Sequence, residues 1–99
     1  MLTKENILSV LREQKQLLSQ KFGVREIAVF GSFARGEETE TSDIDFLVRL
    51  ETPLGSYIST KEALRRYLKK TFGRNIDLAN PVSLKPHYKQ RILKQAVYA

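Results

Sequence analysis

The chain has 99 residues, of which 41% are hydrophobic and 28% charged, with 17 Lys and Arg against 11 Asp and Glu, one His and no Cys. This length and balance suit one small domain with a single core, expected to span residues 1–99, rather than a disordered or membrane-inserted chain. The missing cysteine excludes disulfides and thiolate metal sites, so any metal must be held by oxygen or imidazole. The formal charge of +6 suits a polyanionic partner, although most of the basic residues fall on expected amphipathic helices, where solvated positive faces are common.

Residues 3–22 are expected to form the first helix, with Ile7, Val10, Leu11, Leu17, Leu18 and Phe22 near helical spacing and Gly23 as its stop. Thr3 is the expected N-cap, and Leu2 before it with Ile7 after it has the spacing of a hydrophobic staple. The N-terminus lacks an apolar signal-peptide core, and no stretch approaches the roughly 18 apolar residues of a membrane span. A cytoplasmic location, with no membrane partner, is the expectation.

Residues 24–30 are β-prone and lie between two glycines, which predicts a buried strand. Residues 31–42 are small and polar at both ends. They are expected to make a turn, a short helix around Phe33 to Arg35, and a solvated acidic loop containing Glu37, Glu38 and Glu40.

Residues 43–50 alternate, which predicts a second strand with Ile44, Phe46, Val48 and Leu50 on one face and Asp43, Asp45 and Leu47 on the other. Thr52-Pro53-Leu54-Gly55 should break it. Ser59 and Glu62 have the spacing of a capping box for a helix running to Phe72, with Ala63, Leu64, Tyr67, Leu68 and Phe72 as its buried stripe. Residues 75–79 predict a third strand, with Ile76 and Leu78 on one face and Asp77 on the other. Pro86 is expected to open a last helix reaching the C-terminus, with Tyr88, Ile92, Leu93, Ala96 and Val97 on its apolar side.

The chemistry is concentrated in Gly31-Ser32-Phe33-Ala34-Arg35-Gly36 and, six residues later, Asp43-Ile44-Asp45. A glycine and a serine directly after a strand let backbone N–H groups and a hydroxyl approach a phosphate, and helix onset there adds partial positive charge. Two aspartates two apart on a strand point the same way, with side chains roughly 7 Å apart at a rise of about 3.3 Å per residue. Such a pair can hold Mg²⁺, whose remaining ligands are usually waters and substrate phosphates. A second ion about 3.5 to 4 Å away would be helped by a third carboxylate, and Asp77 on the expected neighbouring strand fits that part. Asp-x-Asp alone is weak, and gains its meaning from the glycine-serine turn before it. His87, at a helix start beside Pro86, is expected to be a surface residue rather than a ligand. The four tyrosines fall mostly on or beside helix stripes, where packing explains them.

Gly31-Ser32-x-Ala34-Arg35-Gly36 followed by Ser42-Asp43-Ile44-Asp45-Phe46-Leu47-Val48 closely resembles the motif of the DNA polymerase β-type nucleotidyltransferase superfamily, in its minimal prokaryotic branch. Asn75-Ile76-Asp77-Leu78 and the basic C-terminal segment extend the likeness along the whole chain. The resemblance implies an α/β (α+β) fold with a small mixed sheet flanked by helices. It also implies two divalent cations, Mg²⁺ or else Mn²⁺, and transfer of a nucleoside monophosphate, AMP from ATP, to an acceptor hydroxyl. Carried over, Gly31 and Ser32 would hold the triphosphate, Asp43 and Asp45 both ions, and Asp77 the ion that activates the acceptor. For Arg35 a turn-fixing salt bridge and a phosphate contact stay open.

Proteins resembling this one are often encoded beside a HEPN-domain ribonuclease and act as its antitoxin, in some cases by transferring AMP to a tyrosine of the toxin. Adenylylation of a HEPN partner is therefore the leading expectation. The alternatives are a binding antitoxin that occludes such a partner and, less favoured, a small basic nucleic-acid-binding domain.

Overall fold

The computed structural model describes residues 2–53 and 55–99; Leu54, one residue of the break expected after the second strand, lies outside the described residues. Among the described residues the elements follow in the order α1 (Lys4–Glu13), α2 (Lys15–Phe22), β1 (Val24–Phe30), α3 (Gly31–Arg35), β2 (Ile44–Leu50), α4 (Tyr57–Phe72), β3 (Ile76–Ala79), a 3₁₀ turn (Pro81–Ser83), α5 (Pro86–Gln95) and β4 (Val97–Tyr98).

Thr3 caps α1 as expected: its hydroxyl accepts from the Asn6 amide, and Asn6 reaches back to the Thr3 amide. Leu2 packs against the core cluster that holds Ile7. The expected single helix over 3–22 is instead two, broken at Gln14 (φ −99°, ψ 10°) with neither Pro nor Gly at the break. Gln14 accepts a hydrogen bond from the hydroxyl of Tyr67 on α4, and the Phe22 and Tyr67 rings meet at 5.4 Å, so the break turns α2 onto α4. The stripe changes with it. Leu8 is buried and Leu17 is 43% exposed, the reverse of what an unbroken helix predicts.

The strands form one mixed sheet in the order β3-β2-β1-β4. β1 and β2 are antiparallel, with Phe30 opposite Asp45 and a register irregularity between Val24 and Glu26. α4 carries the chain across to β3, which pairs parallel to β2. Ile27 and Val29 of β1, Ile44, Phe46 and Val48 of β2, and Ile76 and Leu78 of β3 all join one cluster with residues of α1, α2 and α4. Burying a side chain of this kind is worth about 1.5–3 kcal/mol. On the opposite face Ala28 and Leu47 are buried outside that cluster, where α5 meets β1 and the 3₁₀ turn meets β2.

Two expectations at element ends are corrected. α4 begins at Tyr57 with Ser56 in the cap position, so Ser59 and Glu62 form no capping box; Ser59 donates to the Ser56 carbonyl, and Glu62 pairs with Arg65. Asn80 donates to the Tyr57 hydroxyl, which fastens this earlier first turn to the end of β3. At the C-terminus the helix stops at Gln95 and Val97–Tyr98 becomes an edge strand beside β1, with the Ala99 amide donating to the Ile27 carbonyl. An extended Val-Tyr pair satisfies backbone groups on β1 that a continued helix would leave open. Accordingly α5 has no buried residue, and Tyr88 and Leu93, expected on its apolar side, are 51% and 40% exposed. No helix among the described residues is long and apolar enough to cross a membrane.

Candidate active site

β1 runs directly into α3 at Gly31, two residues before the short helix expected around Phe33 to Arg35. Gly31 is buried and has φ +74°, a conformation L side chains rarely adopt, and a Cβ built there would overlap the carboxylate of Asp45. The glycine therefore makes room for an acid of the chain itself, in addition to any ligand. Ser32 follows, half-buried, in the first turn of α3. Amides in a helix's first turn lack intrahelical partners, and no side chain caps this one. Gly36 (φ +71°) ends α3, and the Glu37 amide returns to the Ser32 carbonyl at 2.9 Å.

The three aspartates do not have equivalent positions. Asp45 and Asp77 are direct register partners across the parallel β2 and β3, between the pairs Ile44/Ile76 and Phe46/Leu78. Since neighbouring residues alternate faces, both carboxylates leave the sheet on the side away from the main core, on strands about 4.8 Å apart. Asp45 is half-buried and Asp77 exposed. Asp43, the first residue of the strand expected from sequence, lies just outside β2, which begins one residue later, and is exposed.

Their charges interact nonetheless. Burial, then repulsion from Asp77 and from Asp43, pushes the Asp45 carboxyl up to about 6, with the Arg35 guanidinium acting in the opposite direction. An acid raised by burial and by two like charges is a local electrostatic cost that a cation relieves. Among the described residues no three acidic or imidazole side chains form a closed metal cage. The donor set of the three aspartates is all oxygen, the chemistry that Mg²⁺ takes, commonly from one or two carboxylates with water and phosphate completing its shell.

Arg35 bonds to Glu37 at 3.0 Å and to Gln95 of α5 at 3.2 Å, tying α3 to the last helix while its charge bears on Asp45. His87 is exposed and stacks on Tyr88. A concavity of about 860 Å³ lies between α1, α2 and the β1–β4 edge, and none of the candidate residues line it. Asp45 and Asp77 lie on the opposite side of the sheet. Sequence reasoning missed Arg74, whose Nη1 donates to the carbonyls of Thr39 and Ser42. Its only signal was an arginine between a helix-ending glycine and an acid-bearing strand.

A family model for the nucleotidyltransferase domain matches residues 11–99. The chain belongs to that family. This nucleotidyltransferase is 44% identical over 98 residues to the protein adenylyltransferase MntA of Thermococcus cleftensis, covering 99% of this chain and 97% of that one. Among solved structures, one provisionally named a minimal nucleotidyltransferase superposes with a TM-score of 0.77 at 31% identity, covering 97% of this chain and 95% of the other. A toxin-antitoxin structure with AMP-PNP shares the fold with a TM-score of 0.65 at 23% identity, over 98% of this chain and 72% of that one. The expected mixed α+β architecture with helices flanking a small sheet is the one observed, and the nucleotidyltransferase is an enzyme of the transferase class.

Proposed function

We propose that this nucleotidyltransferase is a protein adenylyltransferase that moves AMP from ATP to a hydroxyl of a partner, a tyrosine of a HEPN-type toxin, and so acts as the antitoxin of the pair. The observation that carries the reading is Asp45 set directly opposite Asp77 in the sheet and against Gly31 at the β1–α3 junction. It brings acids on two strands to the glycine-serine junction of β1 and α3. The relatives add direction: one is named a protein adenylyltransferase, and another is a toxin-antitoxin structure that contains AMP-PNP.

In this reading Gly31 and Ser32 hold the triphosphate through backbone amides and the serine hydroxyl. Asp43 and Asp45 would hold two Mg²⁺ ions, and Asp77 would share the one that activates the acceptor. Bound there, the ions would neutralise phosphate charge and lower the pKa of the attacking hydroxyl. The hydroxyl oxygen bonds to the α-phosphorus as the bond to the β-phosphate oxygen breaks; AMP joins the acceptor, pyrophosphate leaves and the hydroxyl proton is lost to a nearby carboxylate or water. Asp77, exposed at the outer strand, is placed to meet that proton. Asp43 and Asp77 are exposed beside half-buried Asp45, which leaves the acids reachable by the acceptor of a partner.

The test is incubation of the purified chain with labelled ATP, Mg²⁺ and the candidate HEPN partner, reading mass on the partner's tyrosines. Addition of one or more AMP units, lost in Asp43→Asn, is the expected result. No addition, together with a stable complex that still silences the partner, would replace this reading with an antitoxin that acts by occlusion.

A further inference from the structure

Asp43 stands outside the β ladder, yet the chain on both sides of it is fixed by two consecutive residues that follow α4. Immediately before it, the Ser42 carbonyl accepts a hydrogen bond from Arg74 Nη1 at 2.9 Å. Immediately after it, the Ile44 amide donates to the Asn75 carbonyl at 2.9 Å. The same Arg74 nitrogen also donates to the Thr39 carbonyl at 3.1 Å, so it holds both ends of the Thr39–Ser42 turn. That turn is closed internally by the Ser42 amide on the Thr39 carbonyl and the Thr39 amide on the Ser42 hydroxyl.

Arg74 is itself held in place. It is half-buried, its guanidinium carbon lies 5.5 Å from the ring centroid of fully buried Phe33 on α3, and among the described residues no carboxylate forms an ion pair with it. A guanidinium on an aromatic face with carbonyl acceptors at its edge is a rigid bracket rather than a solvated surface charge. It joins three parts: the helix of the phosphate turn, the loop that ends in Asp43, and the strand that carries Asp77.

We propose that Arg74 is a positioning residue for metal-nucleotide binding, which fixes the backbone ahead of Asp43 so that this exposed carboxylate is presented beside Asp45 without a strand partner of its own. The inference rests on the reading of Asp43 as an ion ligand made above. Groups that orient a ligand from behind typically change metal affinity by about 10- to 100-fold when removed.

The experiment measures Mn²⁺ binding, by electron paramagnetic resonance in the presence of a non-hydrolysable ATP analogue, in wild type, Arg74→Ala, Arg74→Lys and Asp43→Asn, alongside hydrogen exchange at the Ser42 and Ile44 amides. The expected result is Mn²⁺ affinity about tenfold or more weaker in Arg74→Ala, faster exchange at both amides, and partial rescue in Arg74→Lys, which keeps a charged donor but loses the planar stack. Should Arg74→Ala fail to fold, Arg74→Lys carries the test, and wild-type affinity in that folded variant overturns the proposal. Wild-type Mn²⁺ affinity in folded Arg74→Ala with weakened binding in Asp43→Asn overturns the positioning role and leaves the ligand reading standing. Wild-type affinity in Asp43→Asn overturns the ligand reading and this inference with it.

Discussion

The two faces of β2 are set against different surroundings within seven residues. Ile44, Phe46 and Val48 point into a core closed by α1, α2 and α4, and each is at most 1% exposed. Asp45, between the first two, points the other way, toward Asp77 and the turn at Gly31. The apolar face contributes to stability, whereas the acid face costs stability, since burial and like charge raise the Asp45 carboxyl. What the difference teaches is that a strand's period of two lets folding and chemistry be encoded in alternate residues, and so be separated by mutation.

The sharpest break of that comparison is Asp45→Asn. It is expected to lower AMP transfer on the order of 10³-fold or more, because metal-assisted charge stabilisation is worth several kcal/mol and each 1.36 kcal/mol is about tenfold. Its metal-free thermal midpoint should be no lower than wild type, since a repelled charge is removed. Labelled-AMP incorporation and a melt at neutral pH check both halves; transfer at the wild-type rate would detach Asp45 from the chemistry.

Phe46→Ala is the converse. Phe46 is fully buried with its ring 6.1 Å from that of Phe72, so truncation should cost about 3–5 kcal/mol in denaturant unfolding. Metal-nucleotide affinity per folded molecule should change little. A cost below about 1 kcal/mol would mean that this face is not the tightly packed one.

The smallest effect is the pH dependence of the metal-free protein. A folded carboxyl at about 6, above the ordinary value near 3.9, binds its proton more tightly in the native state than in the unfolded one. Stability from this group is therefore full below about pH 4, falls as pH rises to about 6, and stays lower above that. Denaturant midpoints of wild type and Asp45→Asn, taken in chelator from pH 4 to 7.5, should diverge across this window in favour of the variant. Parallel curves would show that water screens the half-exposed carboxylate from Asp77 and Asp43.

Much of this arrangement was legible before any coordinates. Alternation over 43–50 and 75–79 separated the acids from the core face, and the turn motif gave Gly31 and Ser32 their place. What stayed hidden shares one cause, dependence on partners far along the chain. The break at Gln14 has no Pro or Gly, and the residue there accepts from Tyr67, on a distant helix. The two-residue β4 is extended because β1 offers it an edge, which local propensity in a basic helical segment does not reveal. Arg74 acts on backbone carbonyls, which every residue has, so no pairing of side-chain types announces it. Even the clash that reserves position 31 for glycine needed the Phe30–Asp45 register to appear.

The parallel pairing of β2 with β3 bears on when, during its own synthesis, the chain becomes competent. Asp45 and Asp77 become neighbours only through the sixteen-residue crossover of α4, a non-local closure that must await the residues beyond it. A nascent chain stalled within α4 would carry the whole glycine-serine turn and the first two acids, yet lack the strand that completes the acid pair. The acid pair across β2 and β3 is thus completed only once the strand beyond α4 has been made.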